Sequence, residues 1–129
     1  MRYLSAQELL VLHAKIIDET GGLHGVRDVG LLASAVERPQ MRFGRKELYR
    51  GVFTKAACYF ESIARNHAFL DGNKRTAVIA TARFLASNGY ELNATNRGVV
   101  SFALRTANGK ADLSEIAAWL KRHSHHIRK

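Results

Sequence analysis

The chain is poor in the residues that build disulfide scaffolds, stiff linkers and membrane spans. Its 129 residues include one cysteine, one proline and one tryptophan. A single cysteine cannot form an internal disulfide, and Cys58 lies among apolar residues, so we expect it in a hydrophobic core. The longest apolar stretches are far shorter than the roughly 20 residues that cross a bilayer. The segment Met1–Glu8 also lacks an apolar signal-peptide core, which predicts a cytoplasmic protein without membrane contact.

Acidic residues are also few. The chain has 20 lysines and arginines against 11 aspartates and glutamates, which gives a formal net charge of +9. Such a charge is compatible with a basic nucleic-acid-binding module held by salt-dependent phosphate contacts. The cations are spread along the chain, however, without a basic recognition helix or an aromatic platform. We therefore expect no direct nucleic-acid binding and keep that function as an alternative.

The spacing of apolar residues predicts an all-α fold. Ser5 and Glu8 form a capping-box pattern before an amphipathic helix that Gly21 and Gly22 end. The length suits one core, so we expect a compact bundle of about six helices in a single domain over residues 1–129. The other helices are predicted from Asp28 to Val36, around Val52 to Ala64, from Asn73 to Asn88, from Asn93–Asn96 to Asn108, and after a cap at Ser114.

One short segment concentrates chemically active side chains. It comes after the third predicted helix and precedes the fourth, so we expect a loop that leads into a helix N-terminus. Its sequence is His67-Ala68-Phe69-Leu70-Asp71-Gly72-Asn73-Lys74-Arg75-Thr76. A helix N-terminus has unpaired N–H groups and a partial positive charge, so a phosphate is a natural ligand there.

The residue types in this segment suit phosphate chemistry. Gly72 lets the backbone approach a ligand closely, and Lys74 and Arg75 add full positive charges, the arginine with a planar fork of donors. The negative charge of Asp71 would be unfavourable beside a phosphate, but it is explained if Mg²⁺ lies between its carboxylate and the phosphate. His67 is then a candidate general base toward a hydroxyl group.

Each residue also has a purely structural interpretation. Asp71, Gly72 and Asn73 alone form an ordinary turn with a helix cap, and a lone histidine is more often structural than catalytic. We expect Phe69 to be a core anchor under either interpretation. A plain cap has no use for His67 and two cations around it, so the combination favours an active site.

The segment resembles the signature of the Fic/Doc superfamily, H-x-F-x-[DE]-G-N-G-R-x-x-R. The lysine at position 74, the small size and the segments Tyr3–Ser5, Gly21–Leu23 and Asp28 are similar to its Doc branch. The resemblance implies a toxin kinase that transfers the ATP γ-phosphate to a threonine of elongation factor Tu and so stops translation. It also implies ATP and Mg²⁺ as cofactors and a Phd-type antitoxin whose C-terminal segment folds into a groove of the toxin.

The resemblance assigns further roles to residues of the segment. Asp71 would hold Mg²⁺, Gly72 and Asn73 would present backbone and side-chain donors to the phosphates, and Lys74 and Arg75 would bind and neutralise them. Arg65, on the preceding helix, is expected as an additional phosphate-binding cation behind the site.

Two departures from the wider Fic signature keep alternatives open. Lys74 replaces a glycine, and Val78 stands where the second arginine belongs. The missing arginine weakens the case for a Fic-type AMP transferase, which we retain as an alternative. A ribonuclease toxin that uses His67 and Arg75 without ATP is a further one. The segment Ser87–Leu92 only approximates the inhibitory Fic motif, so inhibition is expected from a separate protein.

Two segments outside the signature also carry expectations. Gln40–Gly44 is the one candidate strand, and its position resembles the flap that docks the target segment in Fic proteins. The end of the chain, His123–Lys129, contains three histidines, for which we expect a solvated terminus rather than a metal site.

Overall fold

The computed structural model describes residues 1–128 and confirms a mostly helical fold. Within these residues the chain forms six α-helices and two short antiparallel strand pairs. The helices are α1 Ala6–Thr20, α2 Val29–Glu37, α3 Val52–Asn66, α4 Asn73–Ser87, α5 Asn96–Ala107 and α6 Leu113–Arg122. The strands are β1 Arg42–Phe43, β2 Lys46–Glu47, β3 Tyr90–Leu92 and β4 Ser124–His126.

Helix α3 forms the centre of the molecule. It contacts α2, α4, α5 and α6, and nine of its fifteen residues are buried. A helix that is covered on most sides needs small and apolar side chains all around, and α3 supplies alanines together with Tyr59, Phe60 and Ile63. Cys58 is fully buried there as expected, and burial raises the pKa of its thiol to about 11. The end of this central helix therefore provides a rigid base for the loop between α3 and α4.

Most predicted helix ends agree with the structure because local capping chemistry specifies them. Ser5 and Glu8 form the expected capping box, and Asp28 accepts a hydrogen bond from the N–H of Leu31. The predicted cap at Ser114 is wrong. Asp112 caps α6 instead, because its carboxylate accepts from the N–H of Glu115 while the Glu115 carboxylate accepts from the N–H of Asp112.

The candidate strand at Gln40–Gly44 becomes one side of a hairpin. Arg42 and Phe43 pair with Glu47 and Lys46. The hairpin is fastened to the bundle by Lys55 of α3, which is buried. Its ammonium group donates to the Pro39 carbonyl at 2.9 Å and lies 3.3 Å from a carboxylate oxygen of Glu47.

The histidine-rich end of the chain is exposed from His125 to Arg128, as the predicted solvated terminus would be, but it also forms a strand that was not predicted. Ser124–His126 pairs with Tyr90–Leu92, and the His126 ring lies against the Tyr90 ring at 4.4 Å. The pairing covers backbone groups that would otherwise form a free edge. Among residues 1–128, no group of three or more histidine, cysteine or acidic side chains is arranged to hold a metal, and Lys129 lies outside the described residues.

Within the same residues, no helix has both the length and the apolar character needed to cross a bilayer.

Candidate active site

The predicted loop joins the end of α3 to the start of α4. Helix α3 ends at Asn66, and the next residue, His67, has the left-handed backbone conformation with φ 52° and ψ 52°. Its imidazole is exposed to solvent. Helix α4 begins at Asn73 after Gly72, which is also left-handed with φ 75°. Two left-handed residues therefore bound the loop, and they turn the chain from the end of one helix into the start of the next.

Phe69 is the core anchor that the sequence predicted. Its ring is 1% exposed and stacks on the buried ring of His13 from α1. The same imidazole donates from Nε2 to the carbonyl of Asp71 at 2.8 Å, since a carbonyl oxygen can only accept. His13 itself is 3% exposed. Its hold on the loop was not predicted, because the contact joins residues 58 positions apart.

Asn73 differs from the role that the resemblance implied. Its side chain is buried, and both ends of its amide are paired with one residue of the loop. The Asn73 oxygen accepts from the N–H of Phe69 at 3.1 Å, and the amide nitrogen donates to the Phe69 carbonyl at 3.0 Å. The side chain therefore braces the loop instead of facing a phosphate. The structural reason is that Phe69 is buried, and its backbone groups need partners.

The N–H of Gly72 is also engaged, contrary to its expected role as a phosphate donor. It donates to the Asp71 carboxylate at 2.8 Å. The backbone N–H groups of Asn73, Lys74 and Arg75 donate to no other residue among those that the structure describes. These three groups, one residue further along than expected, are the unpaired N–H groups of the kind that can bind an anion at a helix N-terminus.

Asp71 is held as a carboxylate. Its oxygens accept from the N–H of Leu23 at 3.2 Å and the N–H of Gly72. These two hydrogen bonds, and then the nearby charge of Arg75, hold the pKa of Asp71 below its ordinary value. The carboxylate is therefore charged at neutral pH while it remains partly open to solvent.

The close approach of the loop to the end of α1 requires two glycines. A Cβ atom on Gly22 would lie 2.6 Å from a carboxylate oxygen of Asp71, and one on Gly72 would lie 2.9 Å from Ile17 Cδ1. Both glycines also have positive φ angles, 116° and 75°. We had predicted Gly22 only as a helix stop, because the residue that it must avoid is distant in the sequence.

Lys74 and Arg75 are exposed in the first turn of α4, as the sequence predicted. Arg75 extends toward the end of α1, where its guanidinium donates to the Thr20 hydroxyl and to the Gly21 carbonyl at 3.4 Å. It also lies 3.9 Å from the Asp71 carboxylate. Each of these partners is exposed to solvent or partly so, which leaves the guanidinium free to exchange them for a ligand.

A largely apolar cleft of about 400 Å³ opens beside these two cations. It lies between α1, α4 and α5, and Val78 is part of its wall. The cleft therefore connects the charged end of α4 with a groove that suits apolar side chains.

Arg65 is not brought to this cleft. It lies 3.8 Å from the Glu61 carboxylate, and its guanidinium packs beside Gly109 in the turn between α5 and α6. The pairing with Glu61 follows from their spacing of four residues on α3. The expected role of Arg65 as a phosphate-binding cation does not fit this position.

The residues present fit a Mg²⁺ ion bound together with a substrate. Asp71 offers a charged carboxylate, and each of its oxygens has a lone pair beyond the one that accepts a backbone N–H. Mg²⁺ characteristically takes one or two carboxylates and completes its shell with phosphate oxygens and water. Asp71 is the only predicted metal ligand and would be the protein's contribution to such a site.

Comparison with known proteins agrees with the motif. A family model described as the Fic/DOC family matches residues 3–85, which include the whole loop and nearly all of α4. The chain is 34% identical over 122 residues to "Protein kinase doc" of Escherichia phage P1, with 95% of each chain covered. It is 50% identical over 74 residues to "Toxin Doc" of Mycolicibacterium smegmatis, with 57% of each chain covered. The resemblance inferred from the signature is thus confirmed, and the chain belongs to the Fic/DOC family.

Proposed function

We propose that this chain is a toxin that transfers the γ-phosphate of ATP to a hydroxyl group of a protein. The observation that carries the proposal is the arrangement at the N-terminus of α4. Unpaired N–H groups lie there together with the cations Lys74 and Arg75 and the charged carboxylate of Asp71. The relative of phage P1, which is named a protein kinase, aligns with 95% of the chain. Kinase chemistry is the activity that these two facts support best.

The phosphates bind at the start of α4. The N–H groups of residues 73–75 donate to phosphate oxygens, and Lys74 and Arg75 neutralise the charge of the nucleotide. Mg²⁺ bound at Asp71 would add further neutralisation of that charge. Phosphoryl transfer depends mainly on positioning and charge neutralisation, so this arrangement provides what the reaction requires of a protein.

His67 acts as the general base. The acceptor hydroxyl oxygen forms a bond to the γ-phosphorus, the bond between that phosphorus and the β,γ-bridging oxygen breaks, and ADP leaves. The hydroxyl proton passes to a ring nitrogen of His67. The imidazole is exposed, so an acceptor side chain from another protein can reach it.

The acceptor we propose is a threonine of elongation factor Tu, in the cytoplasm, so that modification stops translation. Support comes from the resemblance of the signature to the Doc branch and from a relative named as a toxin. Serine or threonine as the acceptor type is what the resemblance to the Doc branch implies, since a base at His67 requires only that the acceptor carry a hydroxyl group.

A toxin needs an inhibitor, and we propose a Phd-type antitoxin. An acidic segment that folds on binding would be attracted by the net charge of +9. The cleft between α1, α4 and α5 suits the apolar side of such a segment. A segment bound there would lie against Lys74 and Arg75 and would compete with ATP for them.

The decisive experiment is intact mass spectrometry of elongation factor Tu after incubation with the chain, ATP and Mg²⁺. We expect the mass of one phosphate to be added by the wild type and nothing by His67→Asn. Asparagine is a sound control because it also tolerates the left-handed backbone at this position. An added AMP would instead support AMP transfer, and an unmodified acceptor together with cleaved RNA would support a ribonuclease.

A further inference from the structure

The backbone at His67 is unusual in this protein. Among residues 1–128, His67 is the one non-glycine residue with a positive φ. The left-handed conformation is unfavourable for a residue with a Cβ atom, so the surrounding structure must hold it. The direction in which the His67 imidazole leaves the backbone depends on that conformation.

Three successive carbonyl groups at this turn are bound by one short segment before α2. The Arg27 guanidinium donates from Nη2 to the Asn66 carbonyl at 3.0 Å and from Nε to the His67 carbonyl at 2.6 Å. The backbone N–H groups of Arg27 and Asp28 donate to the Ala68 carbonyl at 2.7 and 3.1 Å. The carbonyls at the end of α3 would otherwise lack partners within the helix.

The segment that carries Arg27 is itself fixed on both sides. Val26 forms an isolated bridge with Phe69, and Asp28 caps α2 through the N–H of Leu31 at 3.0 Å. A planar guanidinium can donate to two neighbouring carbonyls at once, and its charge is favourable at the negative end of a helix. Arg27 therefore combines a rigid attachment with a geometry that a lysine cannot reproduce.

We propose that Arg27 is the positioning residue for His67, because it holds the left-handed turn that aims the imidazole at the acceptor hydroxyl. The proposal rests on the proposed function, in which His67 is the base. Arg27 bonds to the backbone of the loop and not to the reacting atoms. Its loss should therefore lower the rate of transfer while leaving the binding of ATP at α4 intact.

The test compares kcat and KM for phosphoryl transfer in Arg27→Met, Arg27→Lys and the wild type. Misplacing a reacting group by about 1 Å costs up to roughly 100-fold in rate, so we expect kcat of Arg27→Met to fall roughly 10- to 100-fold with KM for ATP unchanged. Arg27→Lys should be intermediate, because one ammonium group reaches one carbonyl well. A third variant, Arg27→Ala, tests chemical rescue. Free guanidinium, added well below denaturing concentrations, should restore part of the activity of this variant.

A second readout detects the imidazole directly. The ring signals of His67 in carbon–proton NMR spectra are assigned by their absence in His67→Asn. In Arg27→Met we expect them to shift and broaden, whereas in Arg105→Met they should remain as in the wild type. Arg105 is a matched control, since it is an exposed arginine that pairs with Glu115 far from the loop in sequence.

The outcomes separate the two proposals. If His67→Asn keeps full activity, the proposed function fails, and the ring signals still report whether Arg27 orients His67. If His67→Asn is inactive while Arg27→Met keeps wild-type kcat, the positioning role alone is wrong. A loss of kcat without guanidinium rescue and without a change in the His67 signals would also overturn it, since Arg27 would then act only on stability.

Discussion

The rings of His13 and Phe69 are stacked face to face, with centroids 3.8 Å apart and an angle of 5° between their planes. His13 belongs to α1, and Phe69 lies in the loop between α3 and α4. The stack therefore fastens the candidate active-site loop to a helix that is distant in the sequence. Because the same imidazole donates to the Asp71 carbonyl, a single buried residue holds two points of the loop.

The first prediction concerns Phe69. Replacing this buried ring by alanine removes its packing and the stack, so Phe69→Ala should lower the free energy of unfolding by about 3–5 kcal/mol. Phe43→Ala is the control, because the Phe43 ring is 84% exposed on the hairpin and should change stability little. Calorimetry measures both. Equal losses for the two variants would contradict the anchoring role of Phe69.

The second prediction concerns pH and Asp71. The hydrogen bonds from Leu23 and Gly72 lower the folded-state pKa below the ordinary value of 3.8. The ionised carboxylate therefore stabilises the fold fully above that value, and the stabilisation is lost as the pH falls through the folded-state pKa. The difference in melting temperature between the wild type and Asp71→Asn should be largest near neutral pH and should shrink in acid. A difference that grows on acidification would show that the carboxylate is not stabilised by folding.

The third prediction concerns Gly22. An alanine there must place its Cβ against the Asp71 carboxylate, so Gly22→Ala should displace Asp71 and abolish Mg²⁺-dependent ATP binding. Gly89→Ala is the matched control, because Gly89 has φ 90° and a Cβ there would meet no atom within 4 Å. Both variants bear a backbone cost of about 1–2 kcal/mol. Titration calorimetry with ATP should distinguish them, and normal ATP binding by Gly22→Ala would be the contrary result.

The fourth prediction concerns Lys74, which stands where the wider Fic signature has glycine. A lysine fills the space of the glycine and adds a charge, so we expect ATP to present its γ-phosphate to His67. Lys74→Gly should lose phosphoryl transfer and gain AMP transfer weakly at most, because Val78 still replaces the second arginine. Lys74→Met, which keeps the bulk without the charge, should lose phosphoryl transfer and gain nothing. Mass spectrometry of the acceptor protein identifies each product, and phosphate transfer at the wild-type rate by Lys74→Gly would refute the role of this lysine.

Helix positions were largely predictable because they depend on neighbouring residues. The capping box at Ser5 and Glu8, the cap at Asp28 and the stop at Asn88 each act within one turn of the chain. The error at Ser114 has the same local origin, since Asp112 and Ser114 are both good caps and only Asp112 has a glutamate three residues later. The pairing of Ser124–His126 with Tyr90–Leu92 was not predictable, because it joins two short segments that are far apart in the sequence.

The sequence alone determined the helical class of this protein, the location of its loop and the identity of the side chains within it, since periodicity, caps and a dense signature are all local properties. Tertiary structure decided which of those side chains are free. It turned Asn73 inward to brace Phe69, packed Arg65 beside Gly109, and brought His13, Gly22 and Arg27 to the loop. Those contacts depend on how helices pack, and burial then requires each polar group to find a partner that no local pattern specifies.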